Sequence, residues 1–271
     1  MDNNFSLTDK VIVLTGGTGI IGKSFIKGIT QAGGTVCILG RNEQVANERV
    51  AEVVKNGGKA LALIADVLDE NALEQARDKV LATYGRIDGL VNAAGGNIPE
   101  AILQKGEDIF ALSMDGMRKA MELNLWGTLI PTQVFGKAMV EGGRGSIVNI
   151  SSMSSKRAIT RVLGYSMGKA AIDCYTQWFA VELANRFGDQ VRMNAIAPGF
   201  FLTEQNRALL TNTDGSYTER GHLVINQTPF KRFGHTDELI GALQWLLSDA
   251  SAFVTGTVIN VDGGFFVNSG V

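Results

Sequence analysis

Cysteine is nearly absent from this chain: Cys37 and Cys174 are the two in 271 residues. They form no CxxC pair and no metal-ligand spacing, which excludes a disulfide scaffold and a structural zinc site. Two buried thiols in a reducing compartment are the expectation. Histidine is as scarce, and His222 and His235 lack the partner spacing of a metal site, so both are expected at exposed loop positions and no metal is expected. No apolar run reaches the about 18 residues that a membrane helix needs. Met1-Asp-Asn-Asn-Phe5 has no secretory-signal character, and the expected location is cytoplasmic. Charge of one sign is also missing. A net charge of −2 argues against a nucleic-acid or anionic-membrane partner and leaves a small-molecule substrate.

What is abundant is apolar sequence, 45% of residues, and glycine, 33 residues beside only four prolines. The glycines fall at the ends of apolar runs, where backbone must approach something closely, rather than in a low-complexity tract. Short β-rich runs alternate with amphipathic segments. Strands are read at Lys10–Thr15, Thr35–Leu39, Lys59–Ala65, Ile87–Val91, Ser146–Ile150, Val191–Ile196 and Val258–Val261, and helices at about 19–32, 43–56, 69–84, 114–140, 164–187 and 235–248. Continuous apolar strands such as Val11-Ile-Val-Leu14 imply burial on both faces. The pattern therefore predicts an α/β fold: one domain over 1–271, a doubly wound, seven-stranded parallel sheet of Rossmann type with helices on both faces. Pro198 to Phe233 reads as one long irregular stretch, a substrate lid.

Val11-Ile-Val-Leu-Thr-Gly-Gly-Thr-Gly-Ile-Ile-Gly-Lys-Ser24 is a strand, a glycine turn and a helix start. It satisfies GxGxxG, GxxGxxG and the phosphate-loop pattern GxxxxGK[ST], all of which hold phosphate on backbone N–H groups. A triphosphate site also needs a later strand ending in Asp to hold Mg²⁺, and only Ala62-Leu-Ile-Ala-Asp66 offers one. A dinucleotide site needs a ribose reader after the second strand. There the chain has Gly40-Arg41, which leaves room and supplies a cation for a 2′-phosphate, favouring NADP with NAD possible.

Tyr165 and Lys169 are four residues apart on a helical segment, and Ser152 ends an apolar strand thirteen residues before Tyr165. Positions i and i+4 share a helix face. A free phenol titrates near 10. One cation about 4 Å away, at an effective dielectric of about 20, is worth roughly 4 kcal/mol, enough to bring the phenol toward neutrality for acid–base work.

With these pieces the chain resembles the short-chain dehydrogenase/reductase family over nearly its whole length. The matching stretches are Thr15-Gly-Gly-Thr-Gly-Ile-Ile-Gly22, Ala65-Asp-Val67, Val91-Asn-Ala-Ala-Gly95, Glu122-Leu-Asn-Leu125, Ser146-Ile-Val-Asn-Ile-Ser-Ser152, Tyr165-Ser-Met-Gly-Lys169, Arg192-Met-Asn-Ala-Ile-Ala-Pro-Gly199 and Val261-Asp-Gly-Gly264. One departure is Ile20 where the family commonly has Gly, the glycine here falling at 19. The resemblance implies a catalytic set of Asn124, Ser152, Tyr165 and Lys169, with Asn124 kinking its helix and holding a water in a relay through Lys169. It implies cofactor contacts from Gly16, Thr18, Gly19, Ile21, Gly22, Arg41, Val67, Ala93, Gly95, Tyr165, Lys169, Pro198 and Gly199. Asp66 would meet the adenine amino group, Asn92 the adenosine ribose region and Thr203 the carboxamide. Subunit pairing through 114–140 and 164–187, as a homotetramer or homodimer, is implied too, and the apolar end Phe265-Phe-Val267 is read as reaching a neighbour.

Asn92-Ala-Ala-Gly-Gly-Asn97, Leu129–Lys137, Pro198–Arg207 and Gly263–Val271 resemble the D-mannonate oxidoreductase (fructuronate reductase) branch, which implies a keto sugar acid and its hydroxy acid as the reacting pair. Polarity agrees: a sugar acid needs cations for its carboxylate and amides for its alcohols. Asn97, Ser152, Arg157, Arg161, Gln205 and Arg207 are the candidate substrate contacts, the alternative being solvated loop positions. Rival readings are a 3-oxoacyl or polyol (gluconate-type) reductase, a non-catalytic dinucleotide-binding protein and a phosphate-loop ATPase.

Overall fold

The computed structural model describes residues 4–270, the side chains of Glu204, Gln205 and Ala208 excepted. Its strands are β1 Val11–Thr15, β2 Thr35–Gly40, β3 Lys59–Ile64, β4 Gly89–Asn92, β5 Gly145–Ile150, β6 Val191–Pro198 and β7 Val258–Val261. They form one parallel sheet in the order β3-β2-β1-β4-β5-β6-β7. Every residue of β1, β2 and β4 is buried, whereas the edge strands β3 and β7 are largely half-exposed. Continuous apolar runs therefore sit where helices cover both faces.

The helices are α1 Ile20–Gln31, α2 Glu43–Lys55, α3 Glu70–Tyr84, α4 Met114–Met121, α5 Gly127–Glu141, α6 Leu163–Phe187, α7 Glu204–Leu210, α8 Glu219–Gln227 and α9 Ile240–Leu247. Several start on side-chain caps: Asn42 Oδ1 accepts from Val45 N, Asp69 Oδ1 from Ala72 N and Ser113 Oγ from Gly116 N. Two apolar cores lie on either side of the sheet, one around Phe135, Met139 and Leu73, the other around Phe25, Ile29 and Leu243. Ligand crevices in such folds open at the carboxyl ends of the strands where the order reverses, here between β1 and β4.

Four expectations need correction. The helix read over 114–140 is broken by a π turn at Glu122–Trp126, between α4 and α5. The stretch from Pro198 to Phe233 is not irregular. It contains α7 and α8, which close on a small apolar cluster of Leu210, Val224, Ile225 and Phe233. Cys174 is exposed, because it falls on the outer face of α6 opposite Ile172, Asp173 and Thr176, while Cys37 is buried and its thiol is pushed up to about 12. His222 is exposed but helical, on α8, and His235 accepts from Asp237 N at the start of a 3₁₀ turn. Among the described residues no helix is long and apolar enough to cross a membrane.

Candidate active site

The glycine turn joins β1 to α1 with almost no spare volume. Gly16 has φ +64°, and a Cβ there would lie 2.7 Å from the Ala93 carbonyl carbon, while one at Gly22 would lie 2.5 Å from Gly16 O. Gly19 precedes α1 in an extended conformation, and Ile20 is the first helical residue. No side chain caps α1 and no acid stands in its first turn. Its leading amides are therefore unclaimed by side chains, as a phosphate site requires. Arg49, from α2, braces the turn by donating to Gly17 O and to Gly19 O. Sequence reasoning missed this residue, which no motif marks.

At the end of β2, the space beside Gly40 is filled by Thr18, whose Oγ1 would sit 2.5 Å from a Cβ at position 40. Gly40 thus makes room for Thr18. Arg41 is exposed and lies 3.5 Å from the Asp66 carboxylate. Asp66 also accepts from Leu68 N, and Val67 is buried. The Asn92 side chain is committed to the core: Nδ2 donates to Thr132 Oγ1 and to Asn149 Oδ1, both at 2.9 Å. It lies on the same side of the sheet as Leu90, facing α5, and among the described residues its Oδ1 is buried without a hydrogen-bond partner. Ala93 and Ala94 are instead held by their amides, which donate to Thr15 Oγ1.

Ser152, Tyr165, Lys169 and Asn124 converge at the carboxyl edge of β5. The Ser152 side chain lies close enough to the Tyr165 phenol to lower its pKa, and its hydroxyl accepts from Ser154 N. Lys169 Nζ lies 5.5 Å from the Tyr165 ring centre and donates to Ile150 O at 2.7 Å. Asn124 sits in the π turn: Nδ2 donates to Gly96 O and Ala120 O, and Oδ1 accepts from Gly96 N. By taking Ala120 O the side chain displaces a helical amide, which accounts for the π turn. A Cβ at Gly95 would lie 2.9 Å from Asn124 Oδ1 and 3.2 Å from Lys169 Nζ, so that glycine is what lets the two approach.

The electrostatics correct one expectation. Tyr165 is not brought toward neutrality here; burial pushes its phenol up, and Ser152 opposes this only in part. Lys169 lies over the ring, bonded to a carbonyl, and burial lowers its own ammonium to about 8. Asp173 works in the other direction, raising Lys169. This buried carboxylate accepts from Ser151 Oγ and, at 2.6 Å, from Ser155 Oγ, so it ties the turn carrying Ser152 to the helix carrying Tyr165. Its spacing, four residues after Lys169 and eight after Tyr165, was the available signal.

The candidate substrate residues separate. Arg157 donates to Phe266 O and Asn268 O and anchors the carboxyl-terminal segment. Phe265 packs on Phe200 with ring centres 5.4 Å apart, so it lies against its own chain. Arg161, at φ +78°, donates to Leu103 O and Gln104 Oε1. Asn97 and Arg207 are exposed, and the Gln205 side chain lies outside the described residues. Thr203 caps α7, its N–H donating to Asn206 Oδ1. Pro198 ends β6, and Gly199 N donates to Val261 O.

Comparison with known proteins gives the same frame. The family model described as enoyl-(acyl carrier protein) reductase matches residues 18–266. The uncharacterized oxidoreductase UxuB of Bacillus subtilis is 41% identical, over 98% of each chain. The structure of a candidate D-mannonate oxidoreductase from Haemophilus influenza, with bound NAD, is 38% identical with a TM-score of 0.90 and 98% of each chain covered. A gluconate 5-dehydrogenase from Burkholderia cenocepacia, in complex with NADP and tartrate, is 32% identical with a TM-score of 0.85, covering 97% of this chain and 98% of that one.

Proposed function

The chain belongs to the short-chain dehydrogenase/reductase family of NAD(P)-dependent oxidoreductases that act on alcohol and carbonyl groups, and from that premise we propose that it interconverts a keto sugar acid and the corresponding hydroxy acid, of the D-fructuronate/D-mannonate type. The observation that carries the reading is the convergence of Ser152, Tyr165, Lys169 and Asn124 at the strand edge beside a phosphate-ready glycine turn. Bound in that cleft, the nicotinamide supplies or accepts the hydride. Ser152 holds the substrate oxygen, Tyr165 gives or takes its proton, and Lys169 supports the phenolate charge. Asn124 fixes the Gly96 peptide beside Lys169.

NADP is the proposed coenzyme, with NAD as the alternative. Neither Gly40 nor Arg41 offers a carboxylate to the ribose hydroxyls, and the exposed Arg41–Asp66 pair is weak enough to give way to a 2′-phosphate. Helices α7 and α8 form the substrate lid. Leu163, Met167, Trp178 and Val181, exposed on α6, support pairing as a homodimer or homotetramer. The test is oxidation of NADH and NADPH, followed at the nicotinamide absorbance, across keto sugar acids, polyol-derived ketones and 3-oxoacyl compounds. Turnover of keto sugar acids at the highest kcat/KM is expected; preference for an acyl chain would contradict the reading.

A further inference from the structure

Three loops leave the carboxyl ends of neighbouring strands, the sheet edge that holds Ser152, and touch one another. The first, after β4, passes Gly95 and Gly96 beside Lys169 and Asn124 and continues to Leu103, Gln104 and Lys105. The second, between β5 and α6, carries Arg161 four residues before Tyr165. Leu103 N donates to Arg161 O at 3.0 Å, and Arg161 Nε returns a bond to Leu103 O at 2.8 Å. The third follows β6 and leads into α8, where Glu219 lies 3.5 Å from Lys105. Arg220 is the next residue. These contacts join the loop of Arg161 to the start of α8, and Arg161 lies near enough to act electrostatically on Arg220.

We infer that Arg161 and Arg220 form a clamp for the carboxylate of the substrate, a use that rests on the sugar-acid reading above and deepens it. Arg220 is half-buried, yet among the described residues it has no hydrogen-bond or ion-pair partner. A guanidinium partly withdrawn from water ordinarily finds an acceptor, because lost hydration is then left uncompensated. Burial, and after it the nearby cation Arg161, hold it below its usual range. It also stands in the first turn of α8, where the helix dipole disfavours positive charge. All three costs reverse when an anion is present. Arg161 keeps Nη1 available, its Nε and Nη2 being bound to Leu103 and Gln104, so each arginine has donors for a carboxylate oxygen. The left-handed backbone of Arg161, rare for a residue with a side chain, is stored at the same point.

A phosphate of the coenzyme is the other anion this pair would attract, and the experiment separates the two sources. Steady-state kinetics are measured for the full-length wild type, R220A, R220Q and R220K with a keto sugar acid and with an uncharged keto sugar, alongside Kd values for NADH and NADPH. The clamp predicts that R220A and R220Q raise KM for the acid more than tenfold, with kcat within about twofold, and that R220K restores part of the loss. The uncharged ketone and both coenzyme affinities should not change. An equal loss for charged and uncharged ketones, a weakened coenzyme, or an unchanged KM for the acid each overturns the clamp. If the wild type reduces only uncharged ketones, the sugar-acid reading itself fails and takes the clamp with it. Turnover of the acid with R220A and R220Q unimpaired removes the clamp alone.

Discussion

Lys169 and Asp173 carry the most informative pair of environments in the molecule. With its ammonium lowered to about 8, Lys169 is charged below that pH and neutral above it. Whatever its charge contributes to proton transfer is therefore present on the acid side and lost as pH rises through about 8. Asp173 raises that value, so Asp173→Asn lets burial lower Lys169 further. The alkaline limb of the kcat profile should then move to lower pH, with activity partly recovered in acid. A uniform drop at every pH would mean that Asp173 acts only through the hydroxyls of Ser151 and Ser155. The Tyr-Lys-Ser arrangement was legible in the sequence because i,i+4 spacing on one helix is geometry. The titration behaviour was not, since it depends on how deeply each group is buried. The bonds that Arg157 and Arg161 make were not legible for a similar reason. Their partners are mostly backbone carbonyls, and nothing in a sequence marks a carbonyl as waiting for a guanidinium.

At the scale of elements, every strand was found within about two residues, because runs such as Val11-Ile-Val-Leu14 must be buried on both faces. The helices fared less evenly. The π turn was hidden because it follows from one amide, Asn124, capturing a carbonyl of the preceding turn. Helices α7 and α8 were hidden by their short length, although Thr203 with Asn206 and Thr218 with Gly221 are recognisable starts. The end of β2 offers a prediction at this scale. Replacing Arg41 with Ala removes the cation beside the ribose position and leaves the Gly40–Thr18 contact intact. KM for NADPH should rise about tenfold or more while KM for NADH stays level. Equal effects on both coenzymes would transfer the reading of the 2′-phosphate to some other residue.

Across the whole molecule, the two edges of the sheet divide the work. The carboxyl edge holds the site, and the amino edge holds a structural charge cluster. Buried Asp88 accepts from Val11 N and from Arg86 and Arg144, linking the entries of β1, β4 and β5. Asp88→Ala leaves these donors without an acceptor and should cost about 2–4 kcal/mol, measured as a lower midpoint in urea. KM values should not move, since the cluster lies at the far end of the strands. A loss of activity without a loss of stability would show that the two edges are coupled.

Proton delivery by Tyr165 beside the bound nicotinamide is tested most directly by following the hydrogen itself. NADPH carrying deuterium at both C4 positions is mixed with a keto sugar acid, and the product is read by mass spectrometry for the wild type and Tyr165→Phe. The wild type should return an alcohol with one deuterium on carbon, and the variant should bind the coenzyme equally well while turning over about 10²–10⁴-fold more slowly. Unlabelled product, or a variant as fast as the wild type, would contradict the account.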